Sequence, residues 1–496
     1  MISSKQYSSL YNLSQDKSYN QVEQTLKHKA VNGVLWRVAE QGGKQLIYFG
    51  ISVVLARLIM PDQFGMVAML TVFTAVAGVF IDSGFSTALV RKTDRTQADC
   101  STVYWFNIVI SIVCYLILFV CAPLVGRFYD MPQLTAILRV SALGLVIGSL
   151  AGVHRTLLQA EMDFKSLTKF NLLGIFISGS IGIFMAWLGF EVWALVTQGL
   201  ILQVISTICV WYKVKWRPSF IVSRNSFNEF FGFGSKMLAS SLLDTIYSNI
   251  YSIVIGKVYR AADLAYYNRG SSLCQMTSSL PTGILQSVTY PTLCKLQHDN
   301  EALKRGYRRT LRIAAFVIFP MCIGVGAVAY PLINVLYTEI WIYTATLLSI
   351  MVFSMMWYPI HAINLNYLIV KGRSDLFFRL EVIKKVQGVI ILCVTIPLGL
   401  EAMCYGSIVS SLLSLIWNTY YNGKFLNMSI FKQLHDFSPI LLLSGVMYIG
   451  ARSVAYFMGN DLTSLICSVA TGAVIYIGGA FLFHFPEIKE LKELKK

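Results

Sequence analysis

The sequence predicts an all-α polytopic membrane protein with about 14 transmembrane helices, and three observations lead to that fold class. Hydrophobic residues make up 55% of the 496 residues, and the mean hydropathy is +0.60. Apolar stretches of about 20 residues, the length that crosses a bilayer core, follow one another along nearly the whole chain. These stretches are continuously apolar, whereas the strands of a membrane barrel alternate. Helices of this kind satisfy their own backbone hydrogen bonds within lipid.

The predicted spans form two sets, separated by a basic linker. The first set is Val34–Leu58, Phe64–Val90, Thr102–Ala122, Leu134–Leu158, Lys169–Gly189 and Trp193–Lys213. The second set is Phe231–Gly256, Gly270–Leu293, Leu311–Leu336, Tyr343–Val370, Leu380–Leu400, Ala402–Tyr421, Phe437–Phe457 and Leu462–Phe485. We therefore predict two pseudo-symmetric six-helix lobes around a central cavity, with two extra C-terminal helices.

The domain organisation follows from these spans. Residues 1–30 form a polar cytoplasmic tail, residues 31–213 the N-lobe and residues 214–230 a basic cytoplasmic linker. Residues 231–422 form the C-lobe, and residues 423–496 hold spans thirteen and fourteen and a C-terminal tail. The first 30 residues lack the apolar core and cleavage site of a signal peptide.

The charge distribution predicts the orientation. The alternate connections that begin at Arg91 carry about 21 Lys and Arg residues, against about 6 in the others. The Arg91 side is therefore predicted to be cytoplasmic, with both termini on that side. Much of the net charge of +16 is explained by this bias, so the basic composition indicates no nucleic-acid partner.

The sequence offers no catalytic or metal site. The ten cysteines show no paired metal or redox spacing, and the six histidines are scattered. No connection between spans exceeds about 20 residues, which leaves no room for a soluble catalytic domain. We expect a protein without a cofactor that is not an enzyme.

A weak internal repeat relates the two sets of spans at an offset of 200 residues. Leu55–Met66 aligns with Ile255–Tyr266, and a cationic residue ends the helix in both copies, at Arg57 and Lys257. Repeats of the same orientation imply two bundles related about the membrane normal, with a site between them. Chance similarity between apolar segments is the alternative.

Polar stripes strengthen the repeat. Arg37, Glu40 and Lys44 share a face of the first span, and Lys236 and Asp244 share a face of the seventh, by helical periodicity. Lys44 and Asp244 are repeat-equivalent, which allows two interpretations: an ion pair across the cavity, or an Asp244 carboxylate that is bonded to neighbouring Tyr or Ser side chains. The eighth span adds Gln275, Ser278, Ser279, Thr282, Gln286 and Thr289. Such faces fit a water-filled cavity better than contact with lipid.

The energetic cost of these charges makes them candidates for anion binding. A Lys or Arg at the bilayer centre costs roughly 2.5 to 3.5 kcal/mol, so several on one face need water, partners or ligand. The candidate cations of the cavity are Arg37, Lys44, Arg139, Arg155 and Lys236. Snorkelling to the cytoplasmic side is the alternative for Arg37, Arg155 and Lys236, and pairing within the helix is the alternative for Glu40 and Lys44.

A second group of cations lies on the side opposite Arg91, against the positive-inside trend. It consists of Arg57, Lys257, Arg260 and Arg269. Two repeat-related rims of positive charge would attract an anion at the outer mouth. The alternative is stabilisation of helix C-termini, where Arg57 and Lys257 lie.

Three segments resemble a known family. Leu55–Gly65, with the sequence LARLIMPDQFG, is similar to the LAR-L-x-P-x-x-F/Y-G signature that closes the first helix of bacterial polysaccharide flippases. Asp82–Phe85 is similar to the D-x-G element that ends their second helix, and Arg155–Phe164 to the segment after their fourth. These proteins form the polysaccharide transporter branch of the multidrug, oligosaccharidyl-lipid and polysaccharide exporter superfamily.

The resemblance implies a function. It implies that the protein flips undecaprenyl-diphosphate-linked oligosaccharides across the bacterial cytoplasmic membrane by alternating access, for surface polysaccharide or lipopolysaccharide biosynthesis. Its implied partners are this substrate, membrane lipids and polysaccharide polymerase or export machinery. The motifs themselves carry over Arg57 and Asp82 only. Glu40, Asp82 and Asp244 are the candidate residues for ion coupling.

Three rival functions stay open. A cation-coupled multidrug exporter would share the architecture but should place acids at its centre. A membrane glycosyltransferase or polymerase should carry a large extracytoplasmic loop. A structural scaffold would not need the polar stripes.

Overall fold

The structure is a computed structural model that describes residues 42–43, 45–82, 84–426 and 428–494. The chain falls into two compact units, residues 1–50 and residues 51–496. The described residues of the first unit are helical. Three predicted site residues, Arg37, Glu40 and Lys44, lie outside the described residues. The contacts reported below therefore all belong to the second unit.

We call residues 51–213 the N half and residues 224–494 the C half. The helices up to residue 213 are α1 Gln45–Leu58, α2 Pro61–Asp82, α3 Phe85–Arg91, α4 Gln97–Phe128, α5 Gln133–Ser141, α6 Leu143–Ser149, α7 Gly152–Ala160, α8 Phe164–Trp187 and α9 Val192–Lys213. The last eight residues of α1, 51–58, belong to the N half.

The C half contains the remaining helices. They are α10 Arg224–Ser248, α11 Ile250–Val258, α12 Ala261–Lys295, α13 Asn300–Ala327, α14 Ala329–Tyr337, α15 Ile342–Met355, α16 Tyr358–Val370, α17 Ser374–Thr395, α18 Leu400–Leu426, α19 Ile430–Phe457, α20 Asp461–Leu482 and α21 Pro486–Leu494, with short 3₁₀ turns at Glu339–Trp341 and Ile396–Leu398. The part of the chain that the structure describes holds no strand. The all-α fold class is therefore confirmed.

The sequence also predicts how many helices span the membrane. Within the described residues, nine helices are long and apolar enough to cross a membrane, or eleven if two bent pairs each count as one span. The pairs bend by 45° between α6 and α7 and by 43° between α10 and α11. The described part of the first span and the polar helices α12 and α17 do not meet this standard. Fourteen spans therefore stay a prediction, although each span from the second to the fourteenth coincides with helical chain.

Local sequence explains where the helices break on the Arg91 side. Gly84 separates α2 from α3 with φ 70°, a left-handed conformation that a residue without a Cβ adopts at no steric cost. Thr96 begins α4 with a capping box, in which its hydroxyl accepts from the Asp99 amide at 3.2 Å and the Asp99 carboxylate accepts from the Thr96 amide at 2.9 Å.

The linker packs against the N half. The Trp105 indole donates to the Ser219 carbonyl at 2.8 Å, and the Ser223 amide donates to the Thr102 hydroxyl at 2.9 Å. Ser223 also caps α10, which begins at Arg224. The last seven residues of the predicted linker, 224–230, belong to the helix α10, so the linker is shorter than predicted.

Candidate functional site

Two cations that lie 200 residues apart in the chain each donate hydrogen bonds to the opposite half. Arg57, near the end of α1, donates from Nε to the Leu336 carbonyl at 2.8 Å and from Nη2 to the Val335 carbonyl in the C half. Lys257, near the end of α11, donates from Nζ to the Phe128 carbonyl of the N half at 2.5 Å. Arg57 and Lys257 lie 200 residues apart, and we call their three hydrogen bonds the clasp.

Both cations of the clasp bind the same kind of acceptor, a carbonyl at the C-terminus of a helix. Val335 and Leu336 lie in the last turn of α14, and Phe128 is the last residue of α4. The final carbonyls of a helix have no partner within it, and the helix dipole makes them attractive to cations. Lys257 adds an ion pair with the Asp130 carboxylate at 3.1 Å, although this pair is largely exposed. Each half therefore presents a cation to a helix C-terminus of the other.

Small residues bring the backbones together beside the clasp. A Cβ built on Gly65 would overlap the backbone carbonyl of Ala261. A Cβ built on Gly256 would lie 3.1 Å from both the Met69 and the Tyr129 side chains of the N half. The glycine of the LAR signature is therefore a contact between α2 and α12, where no larger residue fits.

An aromatic cluster covers the same contact. Trp341 is fully buried and donates from Nε1 to the Ala56 carbonyl at 2.8 Å. The Phe64 ring meets it edge to face, with centroids 5.5 Å apart. The Arg269 guanidinium lies 4.3 Å from the Phe64 centroid and 5.6 Å from the Trp341 centroid, and it donates to the Ser52 hydroxyl. The halves are thus tightly joined at this end, which we call the Arg57 side.

The halves also meet at the Arg91 side, through different groups. A Cβ on Gly84 would lie 2.8 Å from the Met237 Cβ and 3.1 Å from the Gly234 Cα. Lys92 forms ion pairs with Glu229 at 2.9 Å and with Asp99 at 3.1 Å. The hydrogen bond to Glu229 is the main cause of the raised pKa of Lys92. The D-x-G glycine therefore serves both a turn and a contact between the halves.

The other predicted residues lie away from the clasp. Asp244 forms an ion pair with Lys385 of α17, in its own half, whereas Lys44 lies outside the described residues. Asp82 is exposed at the last residue of α2. Arg139 donates to the Phe119 carbonyl at 3.2 Å and stacks on the Phe119 ring, within the N half. The Lys236 side chain is not among the described ones. The predicted pair between Lys44 and Asp244 stays untested, and Asp244 has another cation as its partner.

Arg155 lies in a cavity of the N half. Its Nη2 donates to the Ser206 hydroxyl at 3.1 Å and to Gln203 Oε1 at 3.4 Å, both on α9. The cavity has a volume of about 250 Å³ and lies between α7, α8 and α9. The structure therefore places Arg57 and Lys257 together at one interface, and Arg139 and Arg155 elsewhere.

Sequence reasoning missed two parts of this arrangement. The acceptors of the clasp are backbone carbonyls, which leave no mark in a sequence. Trp341 is a large aromatic residue between two apolar spans, but its partners are distant in the chain. Arg269 was detectable, because it is a cation on the side opposite to the basic loops.

Comparison with solved structures shows which fold the chain has. The fold is similar to that of the lipid II flippase MurJ in an inward closed conformation, with a TM-score of 0.72 at 15% identity, over 91% of this chain and 99% of that one. It is also similar to an inward-facing multidrug resistance MATE family transporter of the MOP superfamily, with a TM-score of 0.60 at 15% identity, over 78% and 96% of the two chains. The chain therefore has the fold that these two solved structures share.

Sequence comparison identifies the family of the chain. The family described as "Polysaccharide biosynthesis protein" matches residues 54–346, more than half of the chain, and the protein belongs to it. The chain is 26% identical over 423 residues to the teichuronic acid biosynthesis protein TuaB of Bacillus subtilis (strain 168), covering 82% of this chain and 85% of that one. The predicted family, and the prediction of a multi-pass membrane protein, are therefore confirmed.

Proposed function

We propose that this protein flips undecaprenyl-diphosphate-linked oligosaccharide repeat units across the bacterial cytoplasmic membrane, for surface polysaccharide or lipopolysaccharide biosynthesis. Membership in the polysaccharide biosynthesis family supports a polysaccharide precursor as substrate. The observation that carries the transport mechanism is the clasp, in which two repeat-related cations hold the two halves together at one end. In this proposal the two six-helix lobes rock about the site between them, and no covalent bond is broken.

The clasp acts as the gate of the Arg57 side in this mechanism. Hydrogen bonds that involve a charged group contribute about 1.5 to 3 kcal/mol each. Two or three of them can bias an equilibrium between conformations that differ by a few kcal/mol. By the positive-inside rule the Arg57 side faces outward, so the described state is closed to the outside. The substrate would enter from the cytoplasmic leaflet.

Opening the gate would also change what the cations bind. Arg57 and Lys257 use backbone carbonyls in the closed state, and these acceptors are lost when the halves separate. A diphosphate offers better acceptors, since Arg forks onto phosphate oxygens and Lys acts as a point charge. The arriving anion would therefore compensate both cations and favour the outward-open state. This is a differential interaction of the kind that a ligand-driven conformational change requires.

The test is a leaflet assay in liposomes. Reconstituted protein should move a fluorescent undecaprenyl-diphosphate oligosaccharide between leaflets, and Arg57→Gln with Lys257→Gln should reduce this movement at least tenfold. Arg373→Gln is the matched control, because Arg373 is a cation outside the predicted site that pairs with Asp375, two residues away. Movement of a cationic drug instead of the lipid-linked sugar would favour the multidrug exporter and contradict the proposal.

A further inference from the structure

The cavity around Arg155 has the composition of an anion site. Its polar lining consists of Arg155, Gln159, Asn171, Gln203 and Ser206, and the rest of the lining is apolar. Among the described residues, the nine that line it all fall between positions 155 and 210, in the N half. Amide and hydroxyl groups can donate hydrogen bonds, and a guanidinium carries a permanent positive charge. Within the part of the chain that the structure describes, no carboxylate lines the cavity.

The hydrogen bonding of Arg155 leaves capacity for a ligand. A guanidinium has five N–H donors, and Arg155 makes two hydrogen bonds, both to neutral oxygens of α9. Among the described residues it has no acidic partner. A charge placed one or two turns inside the helix ends requires a counter-charge, water or ligand, because desolvation is costly.

The position of the side chain argues against simple snorkelling. Arg155 is directed at α9, where its acceptor Ser206 is only 5% exposed, and not outward to water. The cavity of about 250 Å³ also exceeds the space that a single bridging water needs. At roughly 30 Å³ for each liquid water, the cavity holds a group of several non-hydrogen atoms.

Two lysines and one aspartate lie near the ends of the helices that line the cavity. Asp163, which precedes α8, accepts from Ser166, and this bond lowers its pKa, with further lowering by Lys213 and Lys165. These lysines lie at the Arg91-side ends of α8 and α9. They compensate the Asp163 carboxylate, so the positive charge of the cavity itself comes from Arg155.

We infer that the Arg155 cavity binds a phosphate or diphosphate group, carried by a lipid headgroup or by a free anion. The planar guanidinium forks onto two phosphate oxygens, while Asn171, Gln159 and Ser206 donate to the others. The inference does not depend on the proposed flipping, because the N half supplies every lining residue. The site is distinct from the clasp.

Direct binding tests this inference. We would titrate inorganic diphosphate into the purified full-length protein in zwitterionic nanodiscs, and in parallel measure retention of phosphatidylglycerol by native mass spectrometry. Arg155→Gln should weaken binding about 10- to 100-fold, the equivalent of losing a charged hydrogen bond. Asn171→Leu should weaken it less, and the control Arg373→Gln, at a cation that pairs with Asp375 away from the cavity, less than about twofold.

The two probes distinguish the source of the phosphate. Saturable diphosphate binding indicates a free or terminal phosphate group, whereas selective phosphatidylglycerol retention indicates a lipid headgroup, and either result supports the site. The inference is overturned if Arg155→Gln binds both probes as the wild type does, or if the wild type binds neither. Should Arg155→Gln fail to fold, Asn171→Leu and Gln203→Ala carry the same comparison.

Discussion

The two ends of the interface between the halves are held by different chemistry. On the Arg57 side, cations donate to backbone carbonyls, Gly65 packs against backbone, and Trp341 is fully buried. On the Arg91 side, the ion pair between Lys92 and Glu229 involves a glutamate side chain that is 57% exposed. Exposed ion pairs contribute only about 0 to 1 kcal/mol. The comparison indicates that charged hydrogen bonds to backbone carbonyls distinguish the Arg57 side, whereas the Arg91 side combines an exposed ion pair with the Gly84 contact and the buried packing of Phe85 against Phe230.

Gly65 should be the most sensitive position. Gly65→Leu would place a side chain where a Cβ already overlaps the Ala261 backbone, so α2 and α12 must separate. Overpacking of this kind costs about 1 to 3 kcal/mol or more. We expect loss of the closed state, measured as strong labelling of the buried reporter Ala56→Cys.

Gly78 provides the matched control for this substitution. It lies on the same helix, and a Cβ built there has no atom within 4 Å. Gly78→Leu should leave the labelling pattern unchanged. Equal effects of the two substitutions would show that the helix, and not its contact with Ala261, is responsible.

The clasp cations should have the next largest effect. Arg57→Gln and Lys257→Gln should each increase the open population about tenfold, since each removes charged hydrogen bonds worth about 1.5 to 3 kcal/mol. Because both act on one interface, the double variant should depart from additivity in a double-mutant cycle. Arg57→Lys should restore part of the closed population. Additive effects of the two substitutions, together with no recovery of the closed population in Arg57→Lys, would contradict a shared gate.

Trp341 should have a moderate effect. Trp341→Phe removes the hydrogen bond to the Ala56 carbonyl but keeps most of the aromatic packing. The expected loss is about 1 kcal/mol, the usual net value of one neutral hydrogen bond. Thermal unfolding in detergent should show a small decrease, and a decrease as large as that of Gly65→Leu would contradict this ranking.

Glu229 should have the smallest effect. Glu229→Gln removes the exposed partner of Lys92, while Asp99 keeps its ion pair at 3.1 Å. The change in stability should be below about 1 kcal/mol and should diminish at high salt. Since the Glu229 hydrogen bond raises the pKa of Lys92, that pKa should fall in the variant, as measured by NMR titration of labelled lysine.

Much of the fold was predictable because long apolar stretches fix helices in a membrane. The clasp cations Arg57 and Lys257 were also detectable, since they lie on the side opposite to the basic connections and recur at an offset of 200 residues. Their partners were not, because backbone carbonyls of α4 and α14 have no sequence signature. The role of Gly65 and Gly84 was likewise hidden, since a motif shows that a glycine is present but not which backbone approaches it.

The pairing of Asp244 shows a second limit. Periodicity placed Asp244 on a polar face, but it could not choose between a partner on the facing half and Lys385 on a neighbouring helix of its own half. Helical spacing defines the face of a residue, whereas the partner depends on tertiary packing. Arg155 was recognised as a cation near a helix end, yet its inward hydrogen bonds to α9 needed the structure.

One distance measurement tests the gate most directly. Spin labels at Met60 and Ile340, which are 62% and 43% exposed and belong to opposite halves, report separation at the Arg57 side. The ten native cysteines would first be replaced. We expect one short distance without ligand, a second and longer distance with lipid-linked oligosaccharide, and a larger share of the longer one in the Arg57→Gln, Lys257→Gln double variant. A single distance that neither the substrate nor the double variant changes would contradict the assignment of the clasp as a gate.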